Sequence, residues 1–388
     1  MANILTEETV AAYVSKHAEE IGVFSPGSDL SVKAIVGGNV NFAFRVASKE
    51  EDGTEKSVFV KQAPEYVAIF GPDGLPLTSE RMQKEYDVYK AWGDILGEEL
   101  TKKYLPTIYY FDKVNMVFVM EFFEGFTLLD HDLVEKGVVP ISIATGLAEF
   151  MGKTHAATHS SKLSSERVKE MSASYQNQPM RDIQLEYVFT KCYKEATDEQ
   201  RAGLNVDDAF LKEIETLKKE YNGETDNLAL QHGDLHPGSV MVNSEGEVKV
   251  IDPEFTVYGP PGLDVGSLLS GYVLAAVHQA FSDKPEAVES LSKASVDIWN
   301  CYKDTMAAEG ISEDIIHRIE VETVGFTVAE VCRTALQFAG GRLWLQFEDK
   351  QVKADAIKTA MRIVEACMTG RHEGGIELLF SEIKAVSK

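Results

Sequence analysis

The chain has 388 residues, enough for two lobes, and its 44% hydrophobic and 26% charged content is ordinary for a soluble globular protein. A formal net charge of −24 argues against nucleic acid and anionic membrane surfaces as partners. The four cysteines are far apart and form no CxxC or Cys/His cluster that suggests zinc. No leader-like start and no run near the roughly 20 apolar residues of a membrane span are present, so a cytoplasmic chain with reduced thiols is expected.

Taken in order, Thr6 to Glu20 reads as a helix, with Thr6 as cap and Glu7 and Glu8 in the first turn. Residues 31–36 and 42–47 alternate as strands around Gly37-Gly38-Asn39-Val40-Asn41. Ser57 to Gln62 is a third strand that carries Lys61 near its end. Thr78 can cap a helix whose apolar positions Met82, Tyr86, Tyr89 and Leu96 keep helical spacing, with Glu85 on it. Residues 106–110 and 116–122 supply two more strands, the second ending at Met120-Glu121-Phe122. These elements predict a small lobe over 1–121, in the usual domain size range, and a hinge near 121–126.

The remainder, 122–388, reads as mainly helical. Ile143, Leu147, Phe150, Met151 and His155 trace one helix face, and Leu211, Ile214, Leu217 and Tyr221 another. Residues 160–178 are polar, poor in periodicity, and read as loop and short helix. Further helices are expected near 264–282, 286–307, 312–318, 321–338, 353–369 and 373–386. The fold class is therefore α+β, with a sheet-plus-helix lobe followed by a larger helical one.

One stretch interrupts the helices: QHGDLHPGSVMVNSEGEVKVIDPEF, residues 231–255. Val240–Val242 and Val248–Ile251 flank a Gly-containing turn and predict a hairpin. Asp234 precedes the hairpin; Asp252 and Glu254 follow it. Such a hairpin can hold three acids around one small volume. Phosphoryl transfer needs that arrangement, with one acid to position a hydroxyl and two to hold Mg²⁺, because its catalysis is mostly positioning and charge neutralisation. Asp234 is the candidate that accepts the hydroxyl proton. Asp252 and Glu254, two apart, face one way if their backbone is a regular strand. His232 and His236 lack a third ligand and read as residues that hold the loop. Asp264, in GLDVG, reads as support for that loop or as a helix cap.

HGDLHPGS, IDPEF and GLDVG together resemble the catalytic core of the aminoglycoside-phosphotransferase and choline-kinase group, whose fold is protein-kinase-like. GGNVNFAFRV (37–46), SVFVKQAPEYV (57–67), PLTSERMQKE (76–85) and QPMRDIQLEYVFT (178–190) extend the resemblance in the same order, and within the group it is strongest to the methylthioribose kinases. The resemblance implies a kinase that uses ATP and Mg²⁺ on a small-molecule alcohol, 5-methylthioribose in methionine salvage, and suggests a homodimer. It implies that Lys61, oriented by Glu85, neutralises nucleotide phosphates. Gly38, Asn39 and Asn41 would lie close to those phosphates, and the backbone of Met120, Glu121 and Phe122 against adenine. Asp252 and Glu254 would bind metal, with Ser239 standing where most relatives have an Asn ligand. Two adjacent arginines of the methylthioribose kinases correspond to Cys332 and Arg333, so Arg333 remains to reach the phosphate. The segment Ala68–Leu75 lacks the family's Arg and Trp. Both departures touch the acceptor, which leaves open a kinase of another small alcohol (an amino alcohol, a different sugar or an indole alkylamine). A non-catalytic nucleotide-binding protein is the remaining alternative, and the presence of Lys61, Asp234, Asp252 and Glu254 argues against it.

Overall fold

The computed structural model describes residues 4–35, 40–50, 52–339 and 342–386. Two compact units divide the chain, Met1–Gly125 and Phe126–Lys388.

In the first unit, α1 (Glu7–Lys16) and a single turn, α2 (Ala18–Ile21), precede the strands β1 (Ser31–Ala34), β2 (Phe42–Lys49) and β3 (Glu55–Gln62). Helix α3 (Arg81–Tyr104) and the strands β4 (Ile108–Asp112) and β5 (Val117–Glu121) follow. The strands form one antiparallel sheet in the order β1-β2-β3-β5-β4. Strand alternation divides its side chains between two apolar layers. Val46, Val58, Val60, Val117 and Val119 pack with Val10, Val14 and Ile21. Phe118 and Met120, from the intervening positions, pack with Met82, Tyr86 and Phe111. The expected first helix is in fact broken: its regular turns end at Lys16, and Gly22, at φ 69°, closes the short turn that follows. Glycine tolerates that left-handed backbone. Helix α3 also outruns its apolar periodicity, continuing past a non-helical Gly97.

The second unit opens with β6 (Thr127–Leu128) and the helices α4 (Leu129–Glu135), α5 (Ile141–Thr158), α6 (Ser165–Ser174), α7 (Gln178–Tyr187), α8 (Lys191–Glu195), α9 (Asp198–Arg201) and α10 (Asp208–Tyr221). Short strands β7 (Ala229–Gln231), β8 (Val240–Val242), β9 (Val248–Val250) and β10 (Val257–Gly259) come next. Four long helices complete it, α11 (Gly262–Phe281), α12 (Pro285–Ala308), α13 (Glu313–Ala335) and α14 (Lys350–Lys384). β6, β8 and β9 pair as one small sheet, and β7 pairs with β10. Helix α11 is buried along almost its whole length. Its small residues allow that: a Cβ on Gly266 would come within 2.8 Å of Phe326 Cβ on α13. Among the described residues, no helix is long and apolar enough to cross a membrane.

Residues 160–178 are loop and short helix, as expected: 165–174 form a regular helix, capped by the Ser164 side chain, with only Met171 buried on it. A helix that is polar nearly all round leaves little periodic signal. Three other expectations for this unit are corrected. On α10 the buried residue is Phe210, whereas Leu211 is 42% exposed, so the apolar face starts one residue earlier. The helices expected at 312–318 and 321–338 are one helix, α13, which ends at Ala335, because buried Ile319 continues its stripe through the expected gap. The last two expected helices are also merged, with the interruption at Gly375 rather than before residue 373. There the Glu320 carboxylate accepts the amide of Ile376, which satisfies a donor that the kink frees.

Candidate active site

In the first unit, the register of β3 against β2 and β5 leaves Lys61 pointing to the α3 side. Its Nζ donates to Glu85 Oε2 at 2.7 Å, and both residues are buried. A buried ammonium needs such a partner, because an unpaired charge there costs several kcal/mol. The side-chain oxygen of Asn41 is engaged by Arg81, at 2.9 Å, and the same guanidinium bonds the carbonyls of Val40, Pro64 and Thr78. Arg81 was not singled out from sequence; it ties the β1–β2 connection to the start of α3. Gly38 and Asn39 lie outside the described residues. Met120 and Glu121 end β5 within the sheet, and the Glu121 amide donates to Thr107 O at 2.8 Å. That amide is therefore engaged. Phe122 lies beyond the strand, its ring under the Arg45 guanidinium.

In the second unit the stretch 231–255 is built on β7, β8 and β9. After Gln231 the chain turns sharply at Gly233, φ 88°, where a Cβ would sit 2.0 Å from Phe255 O. Only glycine fits this turn. Asp264, in the first turn of α11, accepts the amides of His232 (2.7 Å) and Gly233 (2.9 Å) on its two oxygens. It therefore holds the loop. His155 reaches Asp264 Oδ2 at 3.3 Å and the Tyr302 hydroxyl at 3.1 Å, both inside the core. The two loop histidines are structural as well. His232 Nε2 donates to Ile251 O at 2.8 Å, and its Nδ1 accepts the Asp234 amide. His236 Nδ1 accepts the Gly238 amide at 2.9 Å, which leaves Nε2 facing Asp234 Oδ2 at 3.6 Å. The Ser239 hydroxyl donates to Asp234 O at 3.0 Å, so its proton serves the loop and only its lone pairs remain for a cation.

Asp252 and Glu254 do not sit in a strand. Asp252 is in the left-handed region, φ 64° and ψ 46°, and residues 253–255 form a 3-10 turn. A non-glycine residue held there, just before a proline, is backbone strain of the kind that clusters at functional sites. The turn exposes Asp252 and buries Glu254, yet brings an oxygen of each within 4.8 Å of the other. Two carboxylate oxygens at that spacing are a hard-donor set that fits Mg²⁺. Asn177 fastens the segment by donating to the carbonyls of Glu254 and Thr256, both at 2.9 Å, and Gln184 donates to Gly233 O.

Around Asp234 the structure assembles more than the sequence suggested. Arg333 Nη2 lies 3.6 Å from Asp234 Oδ1, and Arg333 Nε donates to Glu330 Oε2 at 2.8 Å. Arg342 Nη2 lies 3.7 Å from the same Asp234 oxygen, and its Nη1 lies 3.8 Å from Glu330. Burial by itself would push the Asp234 carboxyl up. Positive charge on His236, at pH low enough to protonate it, and on Arg342 and Arg333 outweighs burial and holds the carboxyl below the usual range. Burial and then Arg342 bring His236 down to about 3, so it is neutral at pH 7 and the two guanidiniums are the charges acting on Asp234 there. Glu330 and Arg342 were not anticipated. Glu330 is visible in sequence only as an acid three residues before Arg333 on a helix, and Arg342 lies past the helix end. Cys332, at the position of the resembling family's first arginine, is fully buried. The neighbouring Cys192 thiol and burial hold it well above the ordinary thiol range, so it carries no charge. The departing segment 68–75 carries exposed Ile69, Phe70 and Leu75.

A half-buried acid on a turn whose amides are held by Asp264, in one stretch with a pair of metal-compatible carboxylates, is an arrangement suited to phosphotransfer of the kinase-like kind. The model of the phosphotransferase enzyme family matches residues 52–289, and the chain belongs to this family. It is a small-molecule kinase, a phosphotransferase with an alcohol group as acceptor. Methylthioribose kinase from Geobacillus sp. (strain WCH70) is 29% identical over 364 residues, covering 89% of this chain and 88% of the relative. Methylthioribose kinase from Bacillus cereus (strain 03BB102) is 26% identical over 378 residues, covering 92% and 91%. Among solved structures, a glucosamine kinase shares the fold at a TM-score of 0.50 and 13% identity, over 93% of this chain and 85% of that one. The α+β, protein-kinase-like class expected from sequence is the class observed.

Proposed function

We propose that this chain transfers the γ-phosphate of ATP to a hydroxyl of 5-methylthioribose. The observation that carries the reading is the placement of Asp234. Its carboxylate is held by a loop whose amides are clamped by Asp264, and it is kept ionised by neighbouring guanidiniums. An ionised carboxylate on a rigid turn can orient an acceptor hydroxyl and take its proton as the new bond forms. Lys61, held by Glu85, neutralises nucleotide phosphates. Asn41 would act near those phosphates through the loop it helps to hold, together with Gly38 and Asn39. The backbone at Met120–Phe122 faces adenine, with the Glu121 amide excepted. Asp252 and Glu254 would hold Mg²⁺, and Ser239 would offer its hydroxyl lone pairs. The metal would supply a positive charge shared by the nucleotide phosphate oxygens. Similarity to methylthioribose kinases along nearly the whole chain supports the acceptor.

A second reading, a kinase of another small alcohol, is favoured by the neutral thiol of Cys332 and by the altered 68–75 segment. One experiment separates them. Mg²⁺-dependent ADP production is measured with 5-methylthioribose and with a panel of amino alcohols, other sugars and indole alkylamines. The first reading requires 5-methylthioribose to give the highest kcat/KM. A larger value for another alcohol replaces it with the second, and ADP production with none of them leaves a nucleotide-binding role.

A further inference from the structure

We propose that Arg342 is a catalytic residue, whose guanidinium receives the transferring phosphoryl group beside Asp234. The inference rests on the reading of Asp234 as the residue that takes the acceptor's proton. Four side chains meet in this part of the second unit: Asp234, Glu330, Arg333 and Arg342. All are largely buried, with the two arginine side chains 10% and 14% exposed. Two guanidiniums close together in low dielectric repel each other. Burial first, and Arg333 next, disfavour the charge on Arg342. Buried charge of this kind is expensive unless it meets a well-placed anion.

The distances separate the two arginines. Arg333 is committed, since its Nε makes a 2.8 Å hydrogen bond with Glu330. Arg342 meets both carboxylates at 3.7 and 3.8 Å, attractive range but longer than a charge-assisted hydrogen bond. Asp234 Oδ1, the oxygen both arginines face, is buried and makes no hydrogen bond with any described residue. That oxygen suits an acceptor hydroxyl, and the fork of Arg342 suits the phosphoryl oxygens next to it. In the transfer, the acceptor oxygen forms its bond to the γ-phosphorus while the bond from that phosphorus to the β-phosphate oxygen breaks. ADP leaves with the electron pair, and the acceptor's proton goes to Asp234. Negative charge spreads over the equatorial oxygens during this exchange, and a planar guanidinium matches them two at a time. Cys332 supplies no such charge from helix α13; Arg342 supplies it from the segment beyond the helix.

The test compares wild type, Arg342→Ala, Arg342→Lys and Asp234→Asn. Each is assayed with 5-methylthioribose and, as an acceptor-free arm, for slow ATP hydrolysis in which water takes the phosphoryl group. Melting temperature and ATP affinity are measured alongside. Removing one preorganised donor to developing charge lowers kcat by about 10²–10³-fold. That loss is expected for Arg342→Ala in both arms, with KM for ATP and melting temperature unchanged and partial recovery on adding guanidinium ion. A rate within about threefold of wild type overturns the proposal, being far less than such a donor is worth. So does a loss accompanied by a lower melting temperature that guanidinium ion leaves in place. If Arg342→Ala does not fold, Arg342→Lys decides. It keeps a cation without the fork and is expected to lose about tenfold or more, so a wild-type rate overturns the inference. A wild type inert toward 5-methylthioribose removes only that acceptor, because the water arm still reads Arg342. A wild-type rate in Asp234→Asn removes the underlying reading instead.

Discussion

Glu322 offers a test of the helical unit that does not depend on the chemistry. It is buried on α13, 4% exposed, and accepts a 2.7 Å hydrogen bond from the Asn227 side chain, four residues before Gln231 at the entry to the Asp234 loop. Burial is the main cause that raises its carboxyl from the ordinary 4.5 to about 8. Nearby Glu220 adds to the rise, while the Asn227 bond and Arg318 oppose it. Between these values the folded chain holds a proton that the unfolded chain has released. Stability therefore falls as pH rises through that window, and the loss is complete above about 8. At about 1.4 kcal/mol per pH unit, the full interval is worth about 5 kcal/mol, about 3 of it already lost at pH 7 and under about 1 at pH 5. Glu322→Gln keeps the shape and the acceptor for Asn227 and removes the titration. Urea unfolding of both proteins, followed by tryptophan fluorescence from pH 5 to pH 8.5, should show the variant gaining up to about 3 kcal/mol over wild type at pH 7 and little at pH 5. Parallel pH dependence of the two proteins would refute the reasoning, because Glu322 would then ionise alike in both states.

Asp264→Asn keeps one acceptor where two loop amides need two, so a cost of about 1.5–3 kcal/mol is expected. Turnover should drop while ATP affinity, measured by calorimetry, stays near wild type; unchanged turnover would remove Asp264 from its positioning role. Gly233→Ala should destabilise by at least about 2 kcal/mol, since its Cβ would strike Phe255 O and its φ is positive; a thermal melt at the wild-type temperature contradicts this. Lys61→Met removes the cation paired with the buried Glu85 carboxylate and should cost about 3–5 kcal/mol of stability, together with ATP affinity. Adding Glu85→Gln should return the stability but not the affinity. Recovery of both would mean that Lys61 serves only its partner.

The local chemistry of this chain was legible in the sequence wherever it is carried by neighbours along the chain. Asp234, the hairpin and Asp252-Pro253-Glu254 lie within one short stretch, and strand alternation is enough to delimit β8 and β9. Lys61 and Glu85 were legible for a related reason: a cation in an otherwise apolar strand needs an acid, and α3 carries one at a core-facing position. Tertiary packing decided the rest. The two metal-compatible carboxylates meet through a left-handed turn at Asp252, which no alternation rule describes. Asn177 and Gln184 brace the loop from helix α7 and the residue before it, with hydrogen bonds that carry no periodic trace. Above all, the cationic surroundings of Asp234 come from residues about a hundred positions away. Helix α13 packs along α11, delivering Arg333 and Glu330, and the segment that follows turns Arg342 back toward the same oxygen. Sequence comparison notes Cys332 as a missing charge, since it reads one position at a time. The folded chain supplies a guanidinium from another segment, because electrostatics acts through space and is indifferent to the order of residues.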